Sequence, residues 1–355
     1  MRDIAGIAVE AYSVDLVLVS IAEVRTWTAP DAETDDFAEI AYVPRPLHRV
    51  KPPSSTSLAH VRHSRLREYG ERTAAAIALI PLLRRLRDER SVAYVHFFDN
   101  LGPGAGLLAR VLGIRSGVTL LGSAGSAGSK QTRAFWRAST CGIQDVVAGS
   151  QALRRELEAA AVPVRAVIPW GPKRRPATAP TVPVGSRRVV AWSGPLGNSG
   201  PREALISARA MALARDQIPA LRACLWSKPE YAAQYRPIAE EFRLTFEVPG
   251  QLFLQRLDDV RILVSPVAHA HEIVRPDLTW LEAIQSGVRV VTTPCKGLDQ
   301  SLVRTRSVIV AEESSPQAVA AAIACAWTDS GQLTTDLWTA EDAARQYVQL
   351  WEGGQ

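Results

Sequence analysis

The residues best suited by type and spacing to hold a charged group lie between Pro276 and Gly297, in the run Pro-Asp-Leu-Thr-Trp-Leu-Glu-Ala-Ile-Gln-Ser-Gly-Val-Arg-Val-Val-Thr-Thr-Pro-Cys-Lys-Gly. Pro276 suits the first position of a helix and Gly287 its stop. Arg275 precedes the proline and cannot accept a hydrogen bond as an N-cap. The spacing therefore predicts that the amides of Asp277, Leu278 and Thr279 lack a side-chain partner. A helix start of that kind attracts an anion such as a diphosphate, although a water-capped helix leading into a buried strand of an ordinary α/β domain has the same pattern. His96 ends an apolar strand and Asp99 follows it, an arrangement that serves either acid–base chemistry or a structurally satisfied imidazole. His269-Ala-His271-Glu272 has metal-ligating types on a single loop but lacks a distant further ligand, so it reads as loop and no metal is assigned. Gly122-Ser-Ala-Gly-Ser-Ala-Gly-Ser-Lys130 imitates a phosphate loop, but Gly128-Ser129-Lys130 breaks the Gly-Lys-Ser/Thr order. Its backbone amides could still line a phosphate, and a surface loop is the simpler reading.

Elements that would position these residues alternate along the chain. Strands are expected at 15–20, 92–96, 117–121, 145–148 and 164–168, and helices at 74–86, 104–112 and 151–160. Residues 171–188, with Pro172, Pro176, Pro180 and Pro183 among basic residues, read as a linker, after which the alternation resumes. The amphipathic run over 334–352 reads as a terminal helix. Such alternation implies parallel sheets covered by helices on both faces. At 355 residues the chain exceeds what one core usually supports, so two domains are expected. They are 1–170 and 189–330, joined by the 171–188 linker, with 331–355 as a terminal segment.

Composition narrows the class. A 47% hydrophobic and 22% charged chain is that of a globular protein. No apolar run reaches the roughly 18 residues of a membrane helix, and the start Met-Arg-Asp-Ile-Ala lacks a signal-peptide core, so a cytoplasmic location is expected. Cys141, Cys224, Cys295 and Cys325 are widely spaced and read as reduced, structural thiols. The net charge of +5 is weighted toward the first half, through Arg45, Arg49, Lys51, Arg62, Arg65 and the run Arg84 to Arg90. That face could hold an anionic membrane surface or a phosphorylated acceptor, with a solvated helix face as the plainer reading. No nucleic-acid motif accompanies the charge.

In order along the chain, Val95-His96-Phe-Phe-Asp99, Val147-Ala-Gly-Ser150-Gln-Ala-Leu153-Arg-Arg-Glu-Leu157, Ile168-Pro-Trp-Gly171, Val189-Val-Ala-Trp-Ser-Gly194, Asp258 to Pro266, and Leu281-Glu282-Ala283 followed by Gly287-Val-Arg-Val-Val291 are similar to the landmarks of one family. The chain resembles the large retaining glycosyltransferases of GT-B architecture, family four (group 1), over most of residues 1–325. The resemblance implies two doubly wound Rossmann-like domains, with the ligand at the carboxyl ends of the strands and a C-terminal helix that crosses back onto the first domain. It further implies a nucleotide-sugar donor in the second domain, an unidentified acceptor in the first, and no metal or cofactor. Glu282 would hold the ribose hydroxyls, Gly194 would let the backbone come close, and Asp277, Leu278 and Thr279 would meet the diphosphate.

Several positions depart from that family. Pro195 stands where an arginine is expected and Ser199 where a lysine is expected, although such cations stabilise the leaving diphosphate. Val274 replaces the first glutamate, with Glu272 two residues earlier as a substitute, and Leu121 replaces a histidine. Arg202, Arg275 and Lys296 are the nearby replacement cations. His96 is the first-domain polar landmark retained, a candidate to position a sugar. The chain opens inside what matches the family's first helix, so either the start is late or the opening strand and glycine-rich loop are absent, and their absence would leave a central strand of the first sheet without a neighbour. Two functions follow: a retaining glycosyltransferase, or a catalytically silent relative serving as partner subunit to an active one. A sugar-nucleotide epimerase would need further cleft carboxylates and histidines.

Overall fold

The computed structural model describes residues 17–22, 39–44, 84, 88, 94–98, 105–121, 130–173, 186–194, 200–227, 229–248, 256–268, 276–329, 331, 333 and 337–352. The chain divides into two units, Met1–Pro169 with Ala340–Gln355, and Trp170–Thr339.

The second unit holds six parallel strands: β7 (Val189–Gly194), β8 (Arg222–Ser227), β9 (Thr245–Glu247), β10 (Val260–Ser265), β11 (Arg289–Thr292) and β12 (Val308–Val310). Their order is β12-β11-β10-β7-β8-β9. The strands are near-continuous apolar runs because both faces are covered. Val190 and Trp192 of β7, Ala223 and Leu225 of β8, and Ile262 and Val264 of β10 enter one core, together with Met211 and Ile323 from helices α4 (Gly200–Gln217) and α8 (Pro316–Thr328). Ala191, Cys224, Trp226 and Leu263 enter the opposite core against Trp280, Leu281 and Ile284 of α6 (Leu278–Gln285). A register shift between Val260 and Ile262 accounts for Val260 and Leu263 sharing that second face. Helices α5 (Ala232–Glu241) and α7 (Gln300–Arg304) complete the alternation.

Helix ends follow their sequences. Ser315 caps α8 by accepting from the Ala318 amide at 3.2 Å, with Pro316 in the first turn. Gly287 ends α6 at φ 74°, where the Gly287 amide donates to Ile284 and the Val288 amide to Ala283, closing a Schellman motif.

In the first unit, β1 (Val17–Ala22) pairs in parallel with β2 (Glu39–Pro44) as a separate two-stranded sheet. β3 (Tyr94–Phe98), β4 (Arg115–Leu120), β5 (Asp145–Ala148) and β6 (Ala166–Val167) form a second parallel sheet in chain order. A single sheet was the expectation. Among the described residues no strand joins β1 or β2 to β3. Helices α1 (Ala105–Val111), α2 (Lys130–Ser139) and α3 (Gln151–Ala159) intervene between strands, and α9 (Ala340–Glu352) belongs to this unit. Ser150 caps α3 through the Leu153 amide at 3.1 Å. Trp136 of α2 donates its indole N–H to Glu156 of α3 at 3.0 Å, which satisfies both buried groups.

Among the described residues, no helix is long and apolar enough to cross a membrane. Of the expected helix over 74–86 only Arg84 is described, as helical, and Arg45, Arg49, Lys51, Arg62 and Arg65 lie outside the described residues, as do 122–129 and most of the linker.

Candidate functional site

Chain direction reverses at one place in the second unit. From β7 the chain proceeds to β8 and β9 on one side, and β10, β11 and β12 follow on the other side of β7. The switch point therefore lies between β7 and β10, and connections leaving their carboxyl ends diverge to leave a crevice. Gly194 closes β7 there, and Ser265 closes β10 in register with Thr292 of β11.

A buried hydroxyl lattice stiffens these strand ends. Trp280, 1% exposed, donates its indole N–H to Ser265 Oγ at 2.7 Å. Thr292 Oγ1 donates to the Ser265 carbonyl at 2.7 Å. Thr293 accepts from the Val267 amide at 2.8 Å and donates to the Val267 carbonyl at 2.9 Å. Helix α6 is thereby pinned to the ends of β10 and β11. Sequence reasoning took Trp280 only as part of a helix. The signal lay in a tryptophan facing strands that end in Ser and Thr, since a buried indole N–H needs an acceptor.

The start of α6 differs from the expectation. Helical residues begin at Leu278, so Pro276 lies before the helix and Asp277 is the N-cap. Its Oδ1 accepts from the Thr279 amide at 2.8 Å, while Trp280 and Leu281 donate to the Asp277 carbonyl at 3.1 and 3.2 Å. The Thr279 amide is thus committed to the cap and not open to a diphosphate, and the Asp277 side chain and carbonyl serve the same cap. A carboxylate satisfies the first-turn donors better than Arg275 could, so the helix starts two residues later than read. Leu278 keeps an amide without a partner among the described residues. Glu282 lies one turn further on and is partly buried.

Gly194 also has a local explanation. A Cβ there would stand 2.1 Å from the indole of Trp192, so the position must be glycine for β7 to keep its tryptophan. Arg202 is exposed in the first turn of α4, which begins six residues after the end of β7. Ser199, Pro195, Glu272, His269, His271, Val274, Arg275 and Asp99 lie outside the described residues. No group of three His, Cys, Asp or Glu among the described residues could hold a metal ion.

His96, in the first unit, is absorbed by packing. Its ring meets Tyr347 of α9 edge-on at 5.4 Å and Trp351 at 6.1 Å. The Trp351 indole is a donor only and points at Nδ1 at 3.4 Å, which makes Nδ1 the acceptor and places the ring proton on Nε2. Nε2–H then donates to Thr119 Oγ1 at 2.8 Å, and the Thr119 hydroxyl is left to donate to Tyr347 OH at 2.9 Å. Gly117, paired with His96 in register, leaves the room required: a Cβ would lie 2.0 Å from Tyr94 OH and 2.8 Å from His96 Nδ1. Burial lowers the His96 pKa to about 3, so the ring stays neutral and outside the range of a general acid or base. Of the two readings the sequence left open for His96, this geometry favours the structural one. Beneath it, Asp145 is fully buried and paired with Arg115 at 2.8 Å and Arg165 at 3.0 Å.

No protein-family model matches the chain, and no curated protein matches it in sequence. Solved structures do. A glycosyltransferase from Rickettsia africae superposes with a TM-score of 0.66 at 11% identity, covering 99% of this chain and 94% of that one. Sucrose-phosphate synthase from Thermosynechococcus elongatus gives 0.66 at 14% identity over 99% and 92%. An E. coli trehalose-6-phosphate protein bound with UDP-2-fluoro glucose gives 0.61 at 11% over 99% and 92%. At such identities the likeness establishes the fold alone: this chain has the GT-B fold, an α/β architecture built from Rossmann-like units.

Proposed function

We propose that the chain transfers a glycosyl group from a nucleotide-sugar donor to an acceptor, with retention of anomeric configuration, as a divergent member of family four of the GT-B glycosyltransferases. The observation that best supports this is the switch point between β7 and β10, where Gly194 and the start of α6 flank one crevice end of the sheet. In this reading Glu282 holds the ribose hydroxyls through its carboxylate. The Leu278 amide and the positive end of the α6 dipole meet the diphosphate. Asp277 brings a negative charge to the same place, so a cation must offset it, and exposed Arg202 and Lys296 are the described candidates. Glu272 serves beside the donor as the substitute glutamate, and Ser199 binds there in the place of the expected lysine. His96 transfers no proton and holds the terminal helix instead. Neither a metal nor a cofactor is required, and contact with an anionic membrane surface through the basic first half remains part of the reading.

The test is calorimetric titration of the full chain with UDP, GDP, ADP and their sugars, in wild type and Glu282→Ala. The expected result is binding of one nucleotide that weakens by about tenfold or more in the variant, as loss of a bidentate hydroxyl contact to a charged group predicts. Absence of binding by every nucleotide overturns the donor site and turns the search to a partner protein, with the chain as a silent GT-B subunit.

A further inference from the structure

Every strand of the second-unit sheet is entered through an arginine. In sheet order these are Arg306, Arg289, Arg261, Arg188, Arg222 and Arg243, each within two residues of its strand's start. Strand starts in a parallel sheet share one edge, and the covering helices end at that edge with their unpaired carbonyls and negative dipole ends. Several arginines answer that need. Arg187 donates to the carbonyls of Val260 at 3.2 Å and Ser286 at 3.0 Å. Arg261 donates to the Trp327 carbonyl, Arg289 to the Gly331 carbonyl, and Arg289 and Arg306 both pair with Asp329, at 3.2 and 2.8 Å.

Arg188, Arg222 and Arg256 do not. All three are exposed, and although the Arg222 amide donates to the Arg188 carbonyl at 2.8 Å, none of the three guanidinium groups has a hydrogen bond or ion pair among the described residues. They converge instead on one cavity of about 230 Å³, which opens at the amino ends of β7 and β8 over the sheet face carrying Trp226. Glu247 and Asp259 also stand in its wall. Three uncommitted guanidinium groups around so small a space repel one another, and two carboxylates leave an excess of positive charge. Planar arginine forks match phosphate oxygens, whereas carboxylates accept from hydroxyl groups.

We propose that this cavity binds a small phosphorylated polyol, with its phosphate on Arg188, Arg222 and Arg256 and its hydroxyls on Glu247 and Asp259. The site opens at the opposite end of the strands from the switch point and does not rest on the donor reading.

Titration calorimetry of the full chain with glucose 6-phosphate, inorganic phosphate and glucose tests it, on wild type, Arg222→Gln/Arg256→Gln and Glu247→Gln. Glucose 6-phosphate is expected to bind, inorganic phosphate more weakly, and glucose not at all. The double arginine variant should lose about tenfold or more for both phosphorylated probes, and Glu247→Gln should weaken glucose 6-phosphate alone. Silence of both phosphorylated probes, or affinity unchanged in the double variant, overturns the proposal. Equal binding of phosphate and glucose 6-phosphate, indifferent to Glu247→Gln, overturns the polyol assignment and leaves an inorganic anion. Circular dichroism guards against misfolding, and Arg188→Gln, at an exposed position, provides a second variant with the same expected loss.

Discussion

Strand ends in the two units are finished in different ways. In the second unit, β10 and β11 end in Ser265, Thr292 and Thr293, whose hydroxyls are saturated by backbone groups and by the Trp280 indole, and the crevice at the β7–β10 switch point opens beyond them. In the first unit, His96 is the middle residue of β3, two residues before its carboxyl end and not the last as the sequence suggested, and α9 covers it with Tyr347 and Trp351. One strand end is a rigid platform, and the other is an anchor for a helix. A polar residue at the carboxyl end of a parallel strand is therefore not by itself a catalytic group: what packs over it decides.

The largest break in this contrast comes from the platform. Trp280→Ala removes a fully buried indole and strands the Ser265 hydroxyl, so a loss of about 4 kcal/mol is expected, read as a lower denaturant midpoint of the second unit. In the anchor, acid has a comparable direction of effect. His96 is neutral in the fold, with a pKa of about 3 against an ordinary 6.5, so the unfolded chain binds the extra proton between those values. Stability of the first unit is thus full above pH 6.5 and is lost as pH falls from there toward 3, and His96→Gln should flatten that slope in pH-dependent melting. A smaller effect, about 2 kcal/mol, is expected for Thr119→Val, which leaves the His96 Nε2–H and the Tyr347 hydroxyl without their shared partner. Pairing it with Tyr347→Phe in a double-mutant cycle should give a non-additive result.

The smallest change sharpens the platform itself. Asp277→Asn keeps a capping oxygen for Thr279 but removes the negative charge at the start of α6, costing a few tenths of a kcal/mol in stability. Nucleotide affinity should rise in that variant if a diphosphate uses the Leu278 amide, and an unchanged affinity would place the phosphates elsewhere.

Much of the architecture was legible in the chain because parallel sheets buried on both faces write themselves as apolar runs. Val189–Gly194 and Asp145–Ala148 are strands as read, and α3 follows its Ser150 cap. That β1 and β2 pair with each other and, among the described residues, with no strand of the four-stranded sheet was not legible, since pairing partners are remote in sequence. At α6 Pro276 drew the reading two residues early, because the start depends on the Asp277 side chain turning back to the Thr279 amide. For His96 the deciding partners, Tyr347 and Trp351, lie about 250 residues away, a separation that no local pattern records. Arginines at the strand starts were legible singly and acquire meaning only when the parallel order brings them to one edge.

Hydrogen exchange of the full chain, with and without saturating UDP, GDP or ADP, compares the two strand ends most directly. A bound nucleotide is expected to protect the amides of Leu278 to Glu282 and those following Gly194, and to leave β3 and β4 around His96 unchanged. Protection confined to β3 and β4, or no protection at the start of α6 by any of the three, would contradict this expectation.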